Sequence, residues 1–123
     1  LALVGAGGAG MCLLMALHRQ GLLAERRVLV LEAAEKTKND RTWCFWAQPN
    51  DPLVKALDGL LSNAWDEAAM AGHQQALAPY RYYELRAGTF YEHIQRLCRA
   101  YPLLHWHKTS VQEVEAVMTG GYY

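Results

Sequence analysis

The sequence predicts an α/β fold, a Rossmann-like β-α-β unit on a parallel sheet. Three observations carry this. Residues 1–4 form an apolar run that stops at Gly5, as a buried strand does. Gly5-Ala6-Gly7-Gly8-Ala9-Gly10 then fits G-x-G-x-x-G and leads into a segment with one apolar face. A second apolar run, residues 28–31, ends at Glu32, which lies 22 positions after Gly10.

The elements follow in order. Residues 11–20 place Leu13, Leu14 and Leu17 at helical spacing, with His18 and Arg19 near the negative pole and Gly21 as the stop. Residues 35–40 are polar and read as loop. Residues 41–48 crowd Trp43, Phe45 and Trp46 together. Alternation in an extended chain puts Trp43 and Phe45 on one side and Trp46 on the other. Residues 53–71 read as a helix with Leu53, Leu57, Leu60 and Leu61 on one side, opposed by Gly59. Pro79 breaks the chain, and residues 80–85 read as a strand. Thr89-Phe90-Tyr91-Glu92 fits a capping box. The helix after it would bury Phe90, Ile94, Leu97, Cys98 and Tyr101, with Pro102 ending it. Residues 103–107 and 111–117 are further strand candidates.

Each motif glycine has a physical task. Gly5 makes the tight turn out of the strand. Gly7 lacks a Cβ, so backbone can approach a pyrophosphate. Gly10 lets helix and strand pack closely. The helix start then offers N–H groups and a positive pole to an anion. Gly5, Ala6, Gly7, Gly8, Ala9 and Gly10 are therefore the expected cofactor-binding loop. Glu32 is placed to accept hydrogen bonds from ribose hydroxyls. An acid there disfavours a 2′-phosphate, so FAD or NAD is expected and NADP is not.

Bulk properties exclude several classes. The chain has 123 residues, room for one domain, with 12 Lys+Arg balanced by 12 Asp+Glu. That balance gives no footing for nucleic acid. No apolar run approaches the ~18 residues of a spanning helix, and no signal peptide is expected. Cys12, Cys44 and Cys98 are odd in number and lack a C-x-x-C, so neither a disulfide scaffold nor a zinc centre is expected. The expected compartment is the cytoplasm. Both ends read as cut: the chain opens inside a strand without Met and stops at Gly120-Gly121-Tyr122-Tyr123, a turn into another strand. It is expected to be the front of a longer protein.

The stretch from Lys36 to Trp46 is the most distinctive. With the glycine motif, it resembles the front of the bacterial lycopene β-cyclases. That family's N-(D/H)-(R)-T-W-(S/C)-F signature is here Asn39, Asp40, Arg41, Thr42, Trp43, Cys44 and Phe45. The segment from Pro79 to Tyr91 resembles the family's Y-R-Y-x-x-(I/L)-R-x-x-x-F-Y region. The resemblance spans Leu1 to about Ala100. It implies reduced FAD as cofactor and lycopene as substrate. The implied chemistry closes the substrate's ends into β-ionone rings, in carotenoid biosynthesis. This is an isomerisation without net redox change, through protonation, a transient carbocation and proton loss. It also implies a two-dinucleotide-binding flavoprotein fold, with an interleaved substrate domain that this chain only starts. The family's acidic F-L-E-E-T-type motif has no equivalent here, so the catalytic residues are unknown. The alternative is an FAD-dependent monooxygenase or reductase acting on another apolar substrate. A third reading is a truncated product without activity.

Arg41 and Arg86 are candidates for the cofactor's phosphates, each weighed against a plain surface role. Trp43, Phe45 and Trp46 could line a carotenoid channel or simply pack a core; Tyr80, Tyr82 and Tyr83 could face substrate or form a half-buried sheet surface. His105 and His107 share a strand face but lack a third ligand, so no metal is expected. Cys44 reads as packing, not as a reactive thiol.

The expected organisation has three parts. Residues 1–42 form the nucleotide-binding unit, 43–86 make an excursion toward a substrate domain, and 87–123 return to the sheet. Residues 1–4 should be central, with 28–31 beside them and 103–107 beyond. Residues 111–117 should open an antiparallel extension. The isolated chain is expected to retain FAD weakly and to cyclise nothing by itself. Because lycopene dissolves only in lipid, peripheral membrane contact is expected.

Overall fold

The computed structural model describes residues 1–115. Its elements in chain order are β1 (Ala2–Val4), α1 (Gly8–Arg19), β2 (Val28–Glu32), β3 (Thr42–Ala47), α2 (Pro52–Ala56), β4 (Asn63–Trp65), β5 (Glu67–Met70), β6 (His73–Ala76), β7 (Arg81–Arg86), α3 (Ala87–Cys98) and β8 (Leu104–Lys108). Two compact units result: Leu1–Glu35 with Tyr101–Tyr123, and Lys36–Ala100.

In the first unit, β1, β2 and β8 form a parallel sheet in the order β1-β2-β8. This is the expected 3-2-1 half-sheet of a Rossmann-like fold. Parallel neighbours need a crossover, and α1 supplies the one between β1 and β2. Val28 and Val30 are buried on one face of β2, as are Met11, Leu14 and Met15 on α1. Among the described residues β2 is bonded on both sides, with β8 on its far side from β1, as expected. Residues 111–115 carry no strand, and the rest of the expected 111–117 strand lies outside the described residues.

In the second unit, β7 pairs antiparallel with both β3 and β4. Alternation sorts its aromatics. Trp43 sets its ring edge-on to Phe90 and Tyr91, and Phe45 stacks on buried Tyr83. Trp46 lies on the opposite, exposed face, as period two requires.

The expected helix over 53–71 is corrected. Asp51 caps α2, Pro52 starts it, and it ends after five residues. Gly59 adopts φ +76°, which no helix continues through. The chain beyond is captured by pairing: Ser62 N–H donates to the Glu84 carbonyl, and Ala64 sits opposite Tyr83. β5 and β6 then form a hairpin whose turn residues, Ala71 and Gly72, both have positive φ. That is the pattern of a type I′ turn.

The capping box at Thr89 is also corrected. α3 starts three residues earlier than that box would place it, directly out of β7, with Arg86 at the N-cap. Its first donors are already met: Ala87 N–H donates to the Arg41 carbonyl at 3.0 Å, and Gly88 N–H to Asn39 Oδ1 at 3.1 Å. Thr89 therefore lies exposed within the helix, with no capping role.

Candidate nucleotide-binding site

The candidate site lies wholly in the first unit. After β1, Gly5 turns the chain with φ +88°, a conformation that strains any side-chain-bearing residue. Its N–H donates to the Leu31 carbonyl at 2.8 Å, fixing the turn to the end of β2. α1 begins at Gly8, three residues before the sequence places it, with Gly7 as N-cap. A Cβ on Gly10 would collide with the Gly5 carbonyl oxygen, so backbone meets backbone there. Two glycines are thus explained by the chain itself.

Gly7 is not. Its φ is −75°, and a Cβ there would meet no protein atom within 4 Å. Neither conformation nor packing demands glycine at this position. A backbone without a Cβ here is open to close approach by a ligand.

Glu32 ends β2 with its carboxylate turned back onto the loop. Oε2 accepts from the buried Ala6 N–H at 2.6 Å, and Oε1 accepts from Ala34 N–H at 2.9 Å. Only 9 % of the residue is exposed. A carboxylate tolerates such burial when donors reach it, and each charge-assisted bond contributes about 1.5–3 kcal/mol. No side chain caps α1 and no acid sits in its first turn.

Arg41 and Arg86 belong to the second unit, where the structure brings them together. Thr42 pairs with Arg86, so both arginines stand at one end of the β3–β7 ladder. Both are exposed, and Arg86 Nε lies 3.3 Å from Glu84 Oε1.

Asn39 was missed as a functional residue. Its side chain caps a helix that starts 49 residues later. A Cβ on Gly88 would touch Asn39 at 3.4 Å. Local sequence holds no sign of a cap supplied from so far away. The most distinctive stretch of the chain therefore does structural work at both its start, through Asn39, and its Arg41 carbonyl.

The other candidates resolve by position. Trp43, Phe45 and Tyr83 pack on the inner face of the second unit, whereas Trp46 and Tyr80 are exposed. His105 and His107 are both exposed on β8. Among the described residues no cluster of three or more His, Cys, Asp or Glu could hold a metal ion. Cys12 and Cys98 thiols are both pushed up by burial, Cys98 to about 11, away from reactivity.

The sequence model of the family described as Lycopene cyclase protein matches residues 1–122. No curated protein matches the chain.

Proposed function

The chain belongs to the lycopene cyclase family, and on that premise we propose that it forms the FAD-binding front of a lycopene β-cyclase. The observation that carries the cofactor reading is Glu32, held on the Ala6 amide beside a glycine, Gly7, that the chain itself does not require. In this reading the amides from Gly7 to Gly10, at the start of α1, hold the pyrophosphate. Glu32 takes the ribose hydroxyls and repels a 2′-phosphate, which selects against NADP. When bound, the group supplies the reduced flavin ring that the family's cyclisation requires.

The proposed reaction closes the ends of lycopene into β-ionone rings without net redox change. A cation formed at the end group calls for electron-rich surroundings and a site closed to water. No residue of this chain is assigned as the proton donor. Because lycopene resides in lipid, the enzyme is proposed to work peripherally at a membrane surface from the cytoplasmic side. Among the described residues no helix is long and apolar enough to cross a membrane.

The test is expression, in lycopene-accumulating cells, of the full-length gene that contains this sequence. β-ring products are expected, and unchanged lycopene would overturn the reading. The 123-residue chain alone is expected to bind ADP weakly and to turn nothing over. Ligand-observed NMR should show ADP contact in the wild-type chain and about tenfold weaker contact in Glu32→Gln, the loss of roughly one charged bond.

A further inference from the structure

The hairpin of β5 and β6 leaves β4 through a single residue, Asp66, and forms a two-stranded sheet of its own. Every residue of both strands is exposed, so the hairpin adds nothing to the core. Where it leaves β4 there is a hollow of about 520 Å³. That volume is in the range of small-ligand sites. Ala64, Ala68 and Ala69 line it with methyl groups and Trp65 with a ring, while Asp66, Glu67 and Gln74 bring polar ends.

The polar ends are held, and their bonds decide what the hollow can take. Arg81 grips Asp66 by both oxygens, with Nε 2.6 Å from Oδ1 and Nη2 donating to Oδ2 at 2.8 Å. That pair is neutral. Across the hairpin Gln74 Nε2 donates to Glu67 Oε2. The amide fixes this carboxylate but does not cancel its charge. Among the described residues Glu67 has no ion-pair partner, so the hollow carries one net negative charge. Beside it Trp65 is 40 % exposed, with its ring 5.9 Å from that of Tyr82.

A ring and a carboxylate between methyl walls select a cation. The count of free acceptors selects which kind. A primary ammonium brings three donors. Of the carboxylate oxygens here, only Glu67 Oε1 is not already bonded. A quaternary ammonium brings no donor, and its methyl groups suit the alanine walls and the ring. An anion is repelled by Glu67, and a neutral apolar group would take water from that carboxylate without replacing it.

We propose that this hollow binds a quaternary ammonium group, recognised by Trp65 and Glu67. All of its residues lie in the second unit, apart from the glycine loop and Glu32, so the site does not rest on the cofactor or cyclase reading.

The probe is choline, titrated at constant ionic strength into the isotope-labelled chain. NMR follows the Trp65 indole N–H and the Ala68 and Ala69 amides. Saturable shifts are expected. The alcohol in which carbon replaces choline's nitrogen has the same shape without the charge. It should bind about fivefold more weakly, the loss of one exposed cation–π contact. Ethanolamine, a primary ammonium, should also bind more weakly than choline. Glu67→Gln keeps an acceptor for Gln74; it should weaken choline about fivefold and leave the alcohol unchanged. Trp65→Leu should weaken choline at the alanine amides, and Trp65→Phe, which keeps a ring, should recover part of the loss. Unshifted signals elsewhere report that each variant is folded. Co-sedimentation with phosphatidylcholine vesicles, competed by free choline, would identify a lipid headgroup as the source of the cation. Choline binding without sedimentation would identify a free solute. Equal binding of the neutral alcohol, tighter binding of ethanolamine, undiminished choline affinity in Glu67→Gln, or no saturable shift in wild type would each overturn the assignment.

Discussion

At the scale of single residues, three glycines of one motif carry different burdens. Gly10 has no room for a methyl group, because its neighbour is the rigid Gly5 carbonyl. Gly10→Ala should therefore cost about 1–3 kcal/mol, as overpacking does, and lower the thermal midpoint. Gly7→Ala meets no protein atom and should leave that midpoint nearly unchanged while abolishing ADP contact. Calorimetry and ligand-observed NMR on the two variants separate the roles. If Gly7→Ala unfolded the chain, position 7 would be structural and the cofactor reading would lose its support. This pair also marks what sequence discloses at this scale. The motif's spacing identifies all three glycines, but only coordinates show which one the chain could do without. Glu32 was legible from its place at the strand end; its bond to Ala6 was not, since it depends on a side-chain direction.

Cys98 makes a second residue-scale case. Burial raises its thiol from 9.0 to about 11, because the thiolate is disfavoured away from water. The folded state thus binds this proton more tightly than the unfolded state. Its contribution to stability is fully present below about pH 9 and is lost as pH rises toward 11. Urea midpoints measured at pH 8 and 10.5 should fall more steeply in wild type than in Cys98→Ala. Alkylation should label the exposed Cys44 well before buried Cys98. Identical pH slopes in the two proteins would show that Cys98 is not shielded.

Elements were legible where local pattern and tertiary demand agreed. The runs that became β1 and β2 are continuous and apolar, as strands of a parallel sheet are, and the adjacency of β2 and β8 follows from connection rules. Residues 53–71 failed because leucine spacing outweighed Gly59, whereas the chain obeyed the glycine and the open edge of β7. The β5–β6 hairpin was illegible because its turn is Ala-Gly, not the Asn-Gly that usually signals it. Thr89 tests the corrected start of α3. A capping threonine costs about 1 kcal/mol on mutation to alanine. Thr89→Ala should cost almost nothing, and Asn39→Ala should carry the cap's full loss, because Asn39 reaches Gly88. Ile94→Ala should cost about 2–5 kcal/mol, because its side chain is fully buried. Chemical denaturation of the three variants ranks them; a costly Thr89→Ala would restore the capping box.

At the scale of the whole molecule, the chain is interleaved. The segment Lys36–Ala100 forms one unit, and the residues on either side of it build the other. The β2–β8 ladder therefore closes only across an entire inserted unit, pairing Val28 with Leu104. No window of local sequence contains that closure; it follows from the rule that parallel strands need crossovers. The glycine loop, Glu32 and all three parallel strands fall on the same side of this division. A nucleotide bound there stabilises by mass action only what its site holds together. At 100 times its dissociation constant, ADP adds about 2.7 kcal/mol, which slows amide exchange through local opening about 100-fold. We expect that slowing at the Gly5 amide and along β1, β2 and β8. The amides of β3, β4 and β7 should exchange at their ligand-free rates. Hydrogen exchange read by NMR resolves the two sets. Protection centred on the second unit would place the nucleotide elsewhere, whereas protection confined to the first would tie binding to the loop and carboxylate that the fold brings together.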